Sequence, residues 1–181
     1  MINLTTLILP LLFAAASLSI TAYPTAALSG DQRGKPTKEE PMIALPKPDY
    51  RGMPLEEALK NRRSIRRFSE SRALSLSCLS QLLFAGQGVA DSPFGPSFRT
   101  APSAGATYPF DLYVVANNVE GLPPGLYRYE ASHHSLISVK EGALGNLLAA
   151  AALGQKAVAS AGATLVLAAT FARTCARYGD R

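Results

Sequence analysis

Four guanidinium groups and a hydroxyl crowd one short stretch, Arg62-Arg63-Ser64-Ile65-Arg66-Arg67-Phe68. Guanidinium forks take phosphate oxygens two at a time, so this stretch is chemically suited to a phosphate. Downstream, Arg99-Thr100-Ala101-Pro102-Ser103-Ala104-Gly105-Ala106-Thr107-Tyr108-Pro109 forms a Pro/Ser/Ala/Gly loop that runs into an apolar strand. Small side chains there let the backbone approach a flat ligand closely. Each signal has a plainer reading. An Arg-rich helix end also complements the helix dipole in solvent, and such a loop is often only a connection. Taken in this order, the two suggest a site for flavin mononucleotide (FMN).

The elements that must carry these residues can be read from spacing. Pro54-Leu55-Glu56-Glu57-Ala58-Leu59-Lys60-Asn61-Arg62-Arg63 places proline at a helix start, acids in the first turn and bases at the end, as the helix dipole favours. That helix delivers the arginines at its C-terminus. Leu76, Leu79, Leu82 and Leu83 recur at helical spacing, with Ser75 or Ser77 as cap and Gly86 just beyond the last turn. Residues 91–107 read as a long loop, a length that compact domains usually reserve for function. Phe110 to Ala116 reads as a strand ended by Asn117-Asn118. Residues 125–129 and 136–139 read as a hairpin across His133-His134-Ser135. Gly142 to Leu153 reads as a helix, and Ala163 to Thr170 as an apolar strand buried on both faces. Helices alternating with strands, one pair of them an antiparallel hairpin, predict an α+β domain with a mixed central sheet flanked by helices.

The bulk properties narrow the partners. A chain of 181 residues suffices for one domain with a core, and a net charge of +5 without a long basic tract fits a small anion rather than nucleic acid. Cys78 and Cys175 form no CxxC and no metal spacing, so two free thiols acting as small hydrophobes are expected, and no metal. His133 and His134 read as surface residues of a turn, and Tyr108, Tyr127 and Tyr129 as core or edge aromatics rather than acids. Residues 1–27 carry an apolar run from Leu7 to Ala22 followed by Thr25-Ala26-Ala27, the pattern of a secretory signal. Residues 2–22 hold no Lys or Arg, which leaves an uncleaved membrane anchor as the second reading. Either one places the protein outside the cytoplasm or on a membrane. Residues 28–50, rich in Pro, Lys and Glu, read as an extended linker, leaving 51–181 as the folded domain.

The order of motifs resembles the nitroreductase family of flavoproteins. A helix ends in Arg-Arg-Ser-x-Arg-x-Phe, a leucine-rich helix closes on Leu-Leu-Phe-Ala-Gly-Gln-Gly, and the Pro-Ser-Ala-Gly-Ala-x-Tyr-Pro segment leads into a strand. That segment and Gly-Leu-Tyr-x-Tyr are similar to the SagB/ThcOx-type dehydrogenase branch, over roughly Leu45 to Arg181. The resemblance implies FMN at a homodimer interface and hydride transfer, with electrons from a reduced nicotinamide or from the substrate, a small molecule or a modified peptide. It implies that Arg62, Arg63 and Ser64 meet the FMN phosphate or ribityl chain, and that Arg66 lies near the pyrimidine end, where reduction builds negative charge. Pro102, Ser103, Ala104 and Gly105 would pass along the ring. No catalytic acid or base is assigned. The chain stops at Tyr178-Gly179-Asp180-Arg181, where the family continues into a further helix and strand. We therefore expect a domain incomplete at its C-terminus that binds FMN weakly or not at all alone, or a non-catalytic subunit pairing with a complementing chain or a complete flavoprotein.

Overall fold

The computed structural model describes residues 42–69, 71–90 and 98–179. The apolar N-terminal run, and the linker reading up to residue 41, lie outside the described residues.

A five-stranded sheet orders the domain as β1-β6-β5-β4-β7. Its strands are β1 (Met42–Ala44), β4 (Phe110–Ala116), β5 (Gly125–Glu130), β6 (Ser135–Glu141) and β7 (Ala163–Ala169). A separate two-stranded ribbon pairs β2 (Val89–Ala90) with β3 (Phe98–Arg99). The α+β class holds. Every ladder of the described strands is antiparallel, and the mixed pairing expected from the alternation of elements survives only as one isolated parallel bridge, Leu74 with Val119. The helices between strands are short, so the chain doubles back at each step instead of crossing over, and short connections favour antiparallel neighbours.

Periodicity explains the core. Along β5, Gly125, Tyr127 and Tyr129 are buried while Leu126, Arg128 and Glu130 are half-exposed, the alternation of a strand with one covered face. The cover is α2 (Leu76–Gln87), whose Leu79 and Leu83 are fully buried against Leu112, Val114, Tyr127, Tyr129 and Leu136. Each such leucine contributes about 1.5–3 kcal/mol. Ser75 caps α2 by accepting the Cys78 N–H at 3.2 Å, the first of the two serines the sequence offered. Gly86 falls inside the helix and Gly88 ends it.

Three readings need correction. Met42–Ala44, placed in the linker, forms β1 and pairs with Ile137, Leu136 and Ser135. The strand beginning at Ala163 is an edge strand, paired on one side with β4, and its Leu165 and Leu167 are 40% and 61% exposed. An unbroken apolar run signals burial on both faces only if both faces have cover, and among the described residues β7 has one neighbour. His134 is knitted into the interior rather than lying on the surface. Its ring bonds Ser80 Oγ and Tyr129 Oη, both at 2.8 Å, whereas His133 is exposed as expected.

The remaining helices are α1 (Leu55–Asn61), α3 (Gly145–Ala151), α4 (Lys156–Ser160) and α5 (Ala172–Tyr178). Among these, α1 buries no residue, and α3 and α4 pack on each other. Both cysteines lie in helices and form no disulfide among the described residues, Cys78 exposed in α2 and Cys175 half-buried in α5.

Candidate functional site

The loop between β3 and β4 is built as a tight, self-bonded turn. Ser103 Oγ accepts the Tyr108 N–H at 2.9 Å, and the Ser103 carbonyl accepts the Ala106 N–H at 3.0 Å. Thr107 Oγ1 donates to the Ala104 carbonyl at 3.1 Å. Ser103 therefore acts as the hinge, which explains a small hydroxyl residue after Pro102. Gly105, Ala106 and Tyr108 all take left-handed backbone, with φ of 57°, 53° and 41°. Only glycine does so freely; the other two store about 1–3 kcal/mol each, which neighbours must hold in place.

Two arginines do the holding. Arg173 of α5 forks onto Asp111, both contacts at 2.9 Å, and also donates to the Tyr108 carbonyl at 3.1 Å. Arg99 lays its guanidinium over the Tyr108 ring, 4.9 Å from the centroid, and donates to Gln87 Oε1 at 3.0 Å. Helix α5 comes down on the turn itself: a side chain added at Gly105 would strike Arg177 and Tyr178. That close approach is the second reason for glycine there.

Two adjoining clefts of about 290 Å³ each open on this turn and share Pro102, Ser103 and Tyr108. Gln87, Phe110 and Thr174 complete the first; Phe98, Arg99 and Thr100 complete the second. Within reach of the Arg99 charge, Tyr129 is buried, and that burial pushes its phenol up to about 12, against the opposing pull of Arg99. It stays protonated.

Of the residues singled out from sequence, Pro102, Ser103 and Ala104 line the first cleft, while Gly105 lines neither cleft and lies against Arg177 and Tyr178 of α5. Arg62, Arg63, Ser64 and Arg66 stand apart. Residues 61–69 are all exposed, and none of residues 62–67 lines either cleft. Arg63 turns its Nη1 onto the carbonyls of Lys60 and Arg62, at 3.1 and 2.9 Å, and so covers the end of α1. Among the described residues no carboxylate pairs with Arg62, Arg63 or Arg66. Their charge is open to an anion. A phosphate-tailed planar ligand thus finds suitable chemistry at both places, cations on the one hand and a small-residue turn on the other.

Sequence reasoning missed Gln87, Tyr108, Arg173 and Thr174 as parts of the site and left Arg99 without a role. Gln87 carried a signal: a polar residue between Gly86 and Gly88 at the end of an apolar helix. Residues of α5 carried none, because seven residues without an apolar period do not announce a helix.

Comparison with known proteins agrees with this architecture. The family model described as the nitroreductase family matches residues 59–181. A nitroreductase-like protein of Methanocaldococcus jannaschii is 42% identical over 134 residues, covering 74% of this chain and 66% of that protein. The trifolitoxin operon protein TfxC of Rhizobium leguminosarum bv. trifolii is 27% identical over 172 residues, covering 88% of this chain and 47% of that one. The crystal structure of a nitroreductase-like protein from Ralstonia eutropha superposes with a TM-score of 0.60 at 35% identity, over 86% of this chain and 65% of the other. The chain belongs to the nitroreductase family. It spans from about half to two thirds of the length of these relatives.

Proposed function

We propose that this chain works as an FMN-dependent oxidoreductase of the SagB/ThcOx type, passing hydride between a donor and a small-molecule or modified-peptide substrate. The observation that carries the reading is the strained turn 103–108, held by Arg99 and Arg173 at the mouths of two clefts in a nitroreductase-family chain. The Pro-Ser-Ala-Gly-Ala-x-Tyr-Pro and Gly-Leu-Tyr-x-Tyr segments favour the SagB/ThcOx branch within that family. Bound FMN would supply the two-electron chemistry. Pro102, Ser103, Ala104 and Gly105 give a bare backbone edge for its ring. Arg62, Arg63 and Ser64 offer donors to its phosphate or ribityl chain, and Arg66, near the pyrimidine end, would favour the reduced, more negative ring. A reduced nicotinamide is one candidate donor.

A second reading keeps the fold and drops the catalysis: an accessory subunit that pairs with a complete flavoprotein. Exposed Leu55, Leu59, Ile65 and Phe68 around α1, together with the open edge of β7, favour a partner. That partner is a second copy or a complementing chain. The apolar N-terminal run supports export or membrane anchoring in either case.

The test is titration of FMN into the purified chain, followed by quenching of flavin fluorescence. We expect measurable binding weaker than submicromolar, reduced at least about tenfold when Arg62 and Arg66 are both changed to Ala, since each charge-assisted contact is worth roughly 1.5–3 kcal/mol. Flavin that stays fully fluorescent, alone and with added partner chain, would remove the cofactor from the proposal.

A further inference from the structure

We propose that Arg99 is an anion-recognition residue, and that the cleft beside it takes the oxyanion, foremost a planar carboxylate, of the substrate. The inference deepens the flavin reading by naming an anionic substrate class, and rests on that reading only for what happens at the neighbouring turn.

Arg99 ends β3, where its backbone pairs with Val89 across the two-stranded ribbon. Its side chain is half-buried and fixed by neutral groups alone. Nη1 donates to Oε1 of the buried Gln87 at 3.0 Å, and the guanidinium plane sits over the Tyr108 ring at 4.9 Å. Neither partner carries charge. The described ion pairs employ other arginines: Arg51 with Asp49, Arg128 with Glu130 and Arg173 with Asp111. Tyr129, the phenol that feels Arg99, is held neutral by its burial. Among the described residues, then, Arg99 is a half-buried cation without a counter-ion. A charge partly withdrawn from water normally has a carboxylate beside it. Here an amide and a ring face set its orientation and leave the charge unspent.

Geometry gives that charge a place to act. A guanidinium has five N–H donors, and Gln87 takes one. The cleft is about 290 Å³, walled by Phe98, Pro102 and Tyr108 with the hydroxyls of Thr100 and Ser103. Thr100 Oγ1 already donates to the Phe84 carbonyl at 2.9 Å, so this is a small chamber with one cation, the Ser103 hydroxyl and an apolar wall. It suits a carboxylate or phosphate carried on a compact organic group. Because Pro102, Ser103 and Tyr108 also wall the first cleft, an anion seated on Arg99 holds its attached group against the turn.

The experiment titrates benzoate and, separately, inorganic phosphate into the full-length chain, reading amide chemical shifts of residues 98–108, with FMN titrated in parallel. Wild type is expected to bind benzoate more tightly than phosphate, because the fork matches a planar carboxylate. Arg99→Gln is expected to weaken benzoate by at least about tenfold, with FMN affinity changed less than about twofold. Arg99→Lys, a point charge without the fork, should fall between them. Gln87→Leu, which frees the guanidinium to turn, should also weaken benzoate, and these two variants decide the matter if Arg99→Gln does not fold. Equal benzoate binding in wild type and Arg99→Gln overturns the assignment, as does absence of binding by both probes. Loss of FMN in step with benzoate overturns it too, by giving Arg99 to the cofactor's phosphate. Benzoate binding through Arg99 in a chain that never takes FMN would sink the flavin reading and leave this one standing.

Discussion

At the scale of single residues, the unusual feature is how many groups converge on Tyr108. Its N–H, carbonyl, hydroxyl and ring are each engaged, by Ser103, Arg173, the Arg99 backbone N–H and the Arg99 guanidinium. A left-handed tyrosine persists only under that much constraint. Arg173→Met removes a bidentate pair and the carbonyl bond together. Both side chains of the pair are partly solvated, which discounts the loss to about 1–2 kcal/mol; a urea midpoint unchanged from wild type would show that the pair holds nothing. A second residue-scale prediction concerns pH. Ser80 Oγ donates to the Pro46 carbonyl, so its hydroxyl can only accept from His134 Nε2–H, and His134 Nδ1 must then accept from Tyr129. With Tyr129 raised from 10 to about 12 by burial, folding favours the protonated phenol. The native state keeps its proton where the unfolded chain has lost it. Stability is therefore insensitive to this group below pH 10 and falls as pH rises from 10 toward about 12. Tyr127, raised by the same cause, adds to the fall above pH 10. Chemical denaturation across that range should show the slope, and Tyr129→Phe should flatten it.

Elements explain which parts of the molecule were legible. Helix α2 and strand β5 announce themselves because each has one buried face, and a single face leaves a period in the sequence. Strands β4 and β6 each bury three consecutive residues and are legible instead by their β-rich composition. The small-residue turn was legible by composition, and Pro102, Ser103 and Gly105 fall within that turn. What stayed hidden was contact between elements distant in sequence. Nothing in Ala172–Tyr178 says that Arg173 reaches back to Asp111, sixty-two residues earlier. Nothing in Met42–Ala44 says that three residues behind a polar tract complete a sheet. His134 looked like a surface turn because its partners, Ser80 and Pro46, are supplied by other segments. The packing of α5 on the turn also yields a prediction. Gly105→Ala must place a methyl where Arg177 and Tyr178 lie, on backbone with φ +57°. The backbone term alone costs about 1–2 kcal/mol, and the clash adds to it. We expect a destabilised chain whose α5 amides exchange faster with solvent. Unchanged protection of α5 would mean that the helix does not rest on the turn.

The whole molecule is asymmetric in its cover. One face of the sheet is closed by α2, while the β7 edge and the surround of α1 leave large apolar side chains in water. Leu55 and Leu59 are 68% and 65% exposed, and Ile65 is 71% exposed beside the arginine cluster. Solvent does not tolerate such surfaces well when they adjoin. If the proposed pairing with a second copy covers them, association should be strong enough to measure and should be carried by these side chains. Each leucine removed from such an interface costs about 1.5–3 kcal/mol. Leu55→Glu with Leu59→Glu should therefore weaken self-association by well over about tenfold in sedimentation velocity. Leu165→Lys with Leu167→Lys tests the β7 edge in the same way, and the two pairs of changes are far enough apart in sequence to be separable. An α1 effect accompanied by weaker FMN binding would tie the arginines to the interface, because Arg62 caps the same helix. A wild-type chain that sediments as a monomer at every concentration would exclude the second copy and leave a complementing chain as the partner.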